Sequence, residues 1–248
     1  MLNTEELRET EIVAARTTIS EPLHPGHDTL FEYSTTRPTV PDAHFRIKRI
    51  VDVITAGGIL VLLSPFILII AALIKIESRG SILFSQKRSL GGDDHPFDFY
   101  KFRSMHVAAD VQKDGLLENN ESDGALFKMK NDPRLTRVGK FIRKYSLDEL
   151  PQLLNVLKGD MSLVGPRPLP VEDYERITRD HQSYQYYRLR SNATPGMTGL
   201  WQVSGRSNLG FHEMVMLDLE YIKHWSLLTD VRILIRTIPV VLFGRGAY

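Results

Sequence analysis

Apolar and polar positions divide the chain into three regimes. From Met1 to about His44 the sequence is polar, punctuated by Thr and Pro, and carries no sustained apolar periodicity. That pattern predicts a flexible arm with at most a brief helix near Glu5–Arg16. It is not a signal peptide, because no apolar core follows a basic start. The character then switches. Between Asp52 and Lys75 lie 22 uncharged, mostly apolar residues, enough at about 1.5 Å each to cross a hydrocarbon core. Ser64-Pro65 falls near the middle, where proline removes a backbone hydrogen bond and bends a helix, and the serine hydroxyl can satisfy a freed carbonyl. Arg46, Lys48 and Arg49 precede the segment and Lys75, Arg79, Lys87 and Arg88 follow it. Basic flanks belong on the cytoplasmic side, so the pattern favours a bent, re-entrant helix that enters and leaves through one leaflet. A single kinked crossing is the alternative.

Beyond this segment the periods shorten. Ser81–Lys87 and Pro96–Arg103 read as two strands of a hairpin joined at Gly91-Gly92-Asp93-Asp94, with Lys101 and Arg103 on one face with Phe97 and Phe99. Val107–Lys130 is polar and acidic in patches, a helix and loop without assigned chemistry. Asn131-Asp-Pro-Arg134 is expected to open a helix with Pro at an early, tolerated position. Along it Leu135, Val138, Ile142 and Tyr145 form an apolar stripe against basic Arg137, Lys140 and Lys144. Such a helix suits anionic headgroups, or a core on one side and water on the other. Helical spacing returns from Asn208 to Lys223. Val231–Phe243 is apolar but too short and too charged to span, and fits an interface or a core. The fold class expected is α+β, mainly helical. It has an arm at 1–44, a re-entrant membrane helix at 45–76 and a small cytoplasmic catalytic domain at 77–248 carrying the hairpin and interfacial amphipathic helices.

Composition narrows the chemistry. The formal net charge of +1 gives no global field for nucleic acid. The absence of cysteine excludes disulfides, thiolate metal sites and a cysteine nucleophile. The eight histidines are scattered without a His-Glu-x-x-His pattern. Nucleotide-binding Gly-rich fingerprints and a serine-hydrolase elbow are missing.

One stretch carries chemistry. Ser146 followed three residues later by Glu149 fits a capping box, which by itself is a structural helix start. Arg143 and Lys144 lie just upstream, and Gly165-Pro-Arg-Pro168 follows. Asp148 and Glu149 could converge on a ligand above the helix end, where free N–H groups favour anions and the ionised carboxylate. A carboxylate attacking a phosphate needs nearby cations and a hard metal such as Mg²⁺ on oxygen ligands. Arg143, Arg167, Lys101 and Arg103 are candidates for the first; Asp148 and Glu149 for the second. Thr194–Arg206 is a Gly-rich loop ending in a further phosphate-site candidate, Arg206; ordinary turn chemistry is its plain reading.

Four stretches, Lys101–Met105, Ser146–Ser162, Val164–Pro168 and Pro195–Arg206, together resemble the bacterial sugar transferases. These are monotopic phosphoglycosyl transferases that start polysaccharide assembly on polyprenyl phosphate. The resemblance runs from about Arg46 to the C-terminus and looks most like short members that initiate exopolysaccharide synthesis with galactose 1-phosphate. It implies that Asp148 attacks the β-phosphate of a UDP-sugar and releases UMP, leaving a covalent sugar-phosphoryl carboxylate that undecaprenyl phosphate then displaces. Carried over, Glu149 is the metal-linked partner, Arg143, Arg167 and Lys101 hold phosphate, and Ser64-Pro65 bends the membrane helix. Implied partners are the UDP-sugar, undecaprenyl phosphate and inner-membrane lipids, at the cytoplasmic face. The oligomeric state stays open, a homodimer included, as does the sugar. A membrane-anchored scaffold without catalysis is the competing reading.

Overall fold

The computed structural model describes residues 42–91, 95–107, 109, 115, 129, 131–178, 181–206 and 209–244. The arm as far as residue 41, the 92–94 part of the hairpin turn, most of the 107–130 helix and loop, and the C-terminal ending at 245–248 lie outside these residues. The described chain is mixed helix and sheet, mainly helical.

Helix α1, Asp42–Glu77, runs for 36 residues with Pro65 inside it. Among the described residues it is the one helix long and apolar enough to cross a membrane. Ser64 Oγ donates back to the Val61 carbonyl at 2.8 Å. Both ends of α1 are fixed to the same body of protein. At the N-terminal end Lys48 donates to Asp230 and to the Val164 carbonyl. Arg49 donates to the Val156 and Leu157 carbonyls, and Asp52 accepts from the Leu163 N–H. At the other end Ile70 and Ile74 pack with Phe102 and Ile142. Between the two anchors Val61, Leu62, Leu68 and Ile69 stand exposed.

Strands β1 (Leu83–Ser89) and β2 (Phe97–Phe102) form the hairpin, antiparallel, with Phe84 opposite Lys101 and Gln86 opposite Phe99. Strand β1 starts and stops two residues later than the sequence pattern suggested, and β2 is one residue shorter at each end. The short β4 (Leu169–Pro170) pairs with β1, giving the order β2-β1-β4. Strand β2 is therefore an edge, and an edge leaves backbone groups unpaired. Asn155 covers them: its Oδ1 accepts from the Tyr100 N–H and its Nδ2 donates to the Asp98 carbonyl.

Helix α2, Arg137–Lys144, begins six residues after the expected start. Asp132 and Arg134 form a buried ion pair of 2.6 Å instead of a first turn. The Thr136 side chain caps the helix on the Gly139 N–H. Glu77, at the end of α1, adds a second cap by accepting from the N–H groups of Arg137 and Val138 at 2.8 and 2.9 Å. Burial acts to raise the Glu77 pKa, but the Thr136 side chain and the Val138 and Arg137 N–H groups outweigh it and lower the carboxyl below its ordinary value. Arg137, Lys140, Phe141 and Lys144 all face outward.

Helix α3 (Gln152–Lys158) leads to β3 (Ser162–Val164), which pairs in parallel with β5 (Gly196–Thr198). Between them come α4 (Tyr174–Thr178) and α5 (His181–Leu189). After β5 come α6 (Leu200–Ser204), α7 (Phe211–Lys223) and α8 (Leu227–Leu242). Helix α8 leaves Leu228, Val231, Ile235, Ile238 and Leu242 exposed along one stripe while Asp230 and Ile233 are buried. Asp230 accepts from Lys48, from the Tyr221 hydroxyl and from Trp225 Nε1. This network ties α7 and α8 to the start of α1.

Candidate active site

Residues Leu147–Glu149 form a single 3-10 turn between α2 and α3. The capping-box expectation fails here. Ser146 sits in the left-handed region at φ 55° and makes no side-chain cap; that conformation turns its hydroxyl away, and it accepts from Arg206 Nη2 at 2.8 Å. Arg206 is itself left-handed, at φ 50°. Both strained residues therefore meet in one hydrogen bond beside the acidic pair.

Glu149 sits in a cage of cations. Arg167 grips it with both guanidinium nitrogens, Nη2 to Oε1 at 2.5 Å and Nη1 to Oε2 at 3.2 Å. Lys101 Nζ donates to Oε1 at 3.1 Å and lies 3.5 Å from Asp148 Oδ2. Burial alone would raise the Glu149 pKa; the charges of Arg167 and Lys101 outweigh it and push the carboxyl well below its usual range. Asp148 goes the other way. Burial raises its pKa and the adjacent Glu149 charge adds to this, against the pull of Lys101, Arg143 and Arg167. The sequence argument from a helix N-terminus is thereby corrected. A three-residue turn has no aligned stack of peptide dipoles, so desolvation dominates. Adjacent acids with pKa values pushed apart are a recurrent arrangement at catalytic sites.

The aromatic ring of Phe99, 1% exposed, is a table for three cations. Arg88 lies 4.2 Å from its centroid, Lys101 5.7 Å and Arg167 5.9 Å. A ring face stabilises cations that would otherwise repel one another in a desolvated site. Burial lowers the Arg88 pKa to about 9, with the Arg167 charge adding to the effect. Sequence reading took Arg88 for a membrane-flanking charge; its place one strand from Lys101 follows only from the hairpin register.

Asp148, Glu149, Lys101, Arg143, Arg167 and Arg206 all line one cavity of about 400 Å³. The same cavity is lined by Ile59 and Leu63 of α1 and by Leu234, Val240 and Val241 of α8. Arg103 is not brought there. It lies just past the end of β2, and its guanidinium donates to the carbonyl and hydroxyl of Ser78 at 2.8 and 2.9 Å. Ser64 and Pro65 lie in the exposed middle of α1 and are not among the residues that line this cavity. Gly196 and Gly199 of the 194–206 loop approach the backbone of Gly165, and Gly205 faces the Leu209 side chain, so none of them opens onto a ligand site. A Cβ on Gly196 would meet the Gly165 nitrogen at 2.0 Å, and one on Gly165 would meet the Thr194 carbonyl oxygen at 2.3 Å.

No group of three or more His, Cys, Asp or Glu side chains placed to hold a metal occurs among the described residues. A hard cation that keeps several waters and takes one or two carboxylates plus substrate phosphates needs no such group. Asp148 and Glu149 are the two carboxylates that would be available to such an ion. Three of the roughly four lone-pair positions of Glu149 are already filled by N–H donors, so an ion would share that side chain with Arg167.

A family model described as bacterial sugar transferase matches residues 43–244. The galactosyl transferase CpsE of Streptococcus agalactiae is 48% identical over 207 residues, which cover 83% of this chain and 44% of that protein. The exopolysaccharide production protein ExoY of Rhizobium meliloti is 42% identical over 205 residues, 81% of this chain and 88% of that one. The undecaprenyl-phosphate galactose phosphotransferase of Salmonella typhimurium is 45% identical over 209 residues, 82% of this chain and 42% of that one. The chain thus spans less than half the length of the first and third of these relatives and most of the second. The matched stretch holds α1, the hairpin, the acidic pair and the cations around it, and the chain belongs to the bacterial sugar transferase family.

Proposed function

We propose that the chain is a phosphoglycosyl transferase. It moves a hexose 1-phosphate from a UDP-sugar to polyprenyl phosphate, undecaprenyl phosphate in particular, at the cytoplasmic face of a bacterial inner membrane, and so initiates exopolysaccharide assembly. The observation that carries this reading is the shared cavity. Paired carboxylates with four cations, and apolar side chains of α1 and α8, line one space. That suits a reaction between a soluble diphosphate and a lipid-anchored phosphate.

In the first displacement an ionised Asp148 oxygen bonds to the β-phosphorus. The bond from that phosphorus to the bridging oxygen breaks, and the electron pair leaves with UMP. In the second, an oxygen of the lipid phosphate bonds to the same phosphorus and the Asp148 carboxylate departs. Splitting the transfer lets each substrate visit in turn. The elevated pKa of Asp148 makes it a stronger nucleophile than an ordinary carboxylate once ionised. Lys101, Arg143 and Arg167 offset the repulsion between carboxylate and diphosphate. Mg²⁺ held by Asp148 and Glu149 would neutralise charge on the diphosphate. Mixing the protein with UDP-sugars, polyprenyl phosphate and Mg²⁺ tests the reading: UMP release supports it, whereas a scaffold releases none. The same screen identifies the sugar.

The anchoring of α1 supports a re-entrant arrangement. Buried Ala56 and buried Ile70 are separated by 14 positions, so the stretch of helix between them spans about 21 Å at ~1.5 Å per residue, short of a ~30 Å hydrocarbon core. With both ends held by one domain, α1 dips into one leaflet and returns. The outward Phe141, Lys140 and Lys144 of α2 and the exposed apolar stripe of α8 then meet lipid at the same level. In this reading residues 45–76 are the membrane element and 77–248 the catalytic domain.

A further inference from the structure

One buried ion pair has no part in the chemistry above. Arg190, in the turn after α5, is 0% exposed and Asp218, in α7, is 1% exposed. Arg190 donates from Nε to Asp218 Oδ2 at 2.9 Å, and its Nη2 also reaches that oxygen at 2.6 Å. The same Nη2 donates to the backbone carbonyl of Arg167. The backbone N–H of Arg167 faces the Asp218 carboxylate. We propose that the Arg190–Asp218 pair is a positioning device that fixes the peptide of Arg167, and thereby the guanidinium that clamps Glu149 and meets the donor diphosphate. This rests on the transfer reading above.

The surroundings point to positioning more than to stability. Arg190 Nη1 and Asp218 Oδ1 are both buried without a hydrogen-bond partner. A buried pair with a loose atom on each side stabilises a core no better than apolar side chains of the same volume. The pair does supply a backbone grip. Arg167 lies between two prolines, and three successive carbonyls are each held by a different donor. Pro166 accepts from the Gly196 N–H at 2.8 Å, Arg167 from Arg190, and Pro168 from Arg88 Nη1 at 3.2 Å. Burial pushes the Asp218 carboxyl up to about 6 in spite of Arg190, as expected for an acid kept in a dry place for its geometry. A displacement of about 1 Å at Arg167 would suffice to weaken its hold on a diphosphate, an effect worth up to roughly a hundredfold in rate.

The test is a double-mutant cycle on the full chain in detergent micelles with polyprenyl phosphate and Mg²⁺ present, reading steady-state UMP release against UDP-sugar concentration. Arg190→Lys keeps a buried cation against Asp218 but cannot span both the carboxylate and the Arg167 carbonyl. Expected is a melting temperature near wild type and a fall in kcat/KM of roughly ten- to a hundredfold, carried more by donor KM than by kcat. In the Arg167→Ala background the same substitution should change kcat/KM less than twofold, because its effect is routed through a side chain already gone. Asp218→Asn, close in shape and without the charge, goes through the same cycle, so the outcome does not depend on one variant folding. Losses that multiply in the double variants would overturn the proposal. A wild-type protein that releases no UMP from any UDP-sugar would instead sink the transfer reading itself.

Discussion

The two adjacent acids should respond in opposite directions when neutralised. Glu149→Gln removes a carboxylate that accepts three hydrogen bonds from two cations, with side chains 13–20% exposed. Breaking a buried pair from one side costs about 3–5 kcal/mol. The glutamine oxygen can still accept from Arg167, so the lower figure applies. For a domain of this size about 3 kcal/mol lowers the melting temperature by roughly 6–12 °C. The Glu149 pKa is depressed in the fold. Its stabilisation is therefore present above the ordinary glutamate pKa and lost only as the pH falls through the depressed folded value. The gap between wild type and variant should persist in mildly acidic buffer and close only in strong acid.

Asp148→Asn should not lower the melting temperature at neutral pH and should raise it. The folded pKa of Asp148 is raised, so its ionised form is disfavoured by folding above that value. The gain should fade as the buffer is acidified towards the ordinary aspartate range, where wild-type Asp148 is protonated too. Thermal unfolding of the three proteins in one detergent, across pH, reads both effects. A Glu149→Gln melting temperature within about 1 °C of wild type, or a Asp148→Asn protein clearly less stable than wild type at neutral pH, would refute the electrostatic reasoning.

UMP release should fall on acidification at a pH above the ordinary aspartate value, because Asp148, its pKa raised chiefly by burial, must be ionised to attack. Lys101→Met removes the charge that most favours that ionised form and should move the acid limb of the pH–rate profile upward; an unmoved or lowered limb counts against the assignment. Single cysteines at Arg46 and Lys87, in a chain that otherwise has none, should react with a membrane-impermeant label from the same side of a sealed vesicle. Reaction from opposite sides would overturn the re-entrant arrangement. Gly139→Ala would set a Cβ 1.9 Å from the Ser104 carbonyl oxygen, and should cost at least about 2 kcal/mol by overpacking; an unchanged thermal midpoint would contradict that packing.

What the sequence reveals and hides follows from range. Helix α1 is legible because twenty-two uncharged residues leave a pattern no soluble helix needs, and Asp148 with Glu149 because they are neighbours. Lys101 was reachable through strand alternation, which also misplaced Arg103: the strand ends at Phe102, and alternation stops with it. The capping box misled because Ser146 adopts a left-handed conformation that the pattern cannot show. Asn155, which holds the β2 edge, is inside the recognised motif yet speaks through a contact 57 residues away. Lys48 with Asp230, 182 positions apart, and Arg190 with Asp218, 28 apart, carry no local signal. Their partners are chosen by tertiary packing, and only the structure brings them together.

The most direct test of covalent transfer through Asp148 is mass spectrometry of the protein after mixing with its UDP-sugar in the absence of lipid acceptor. A hexose-phosphate adduct should appear on the peptide containing Asp148, accompanied by UMP, and disappear when polyprenyl phosphate is added. The same experiment on Asp148→Asn should give neither adduct nor UMP. UMP release at the wild-type rate from that variant, or an adduct on a different side chain, would contradict the mechanism.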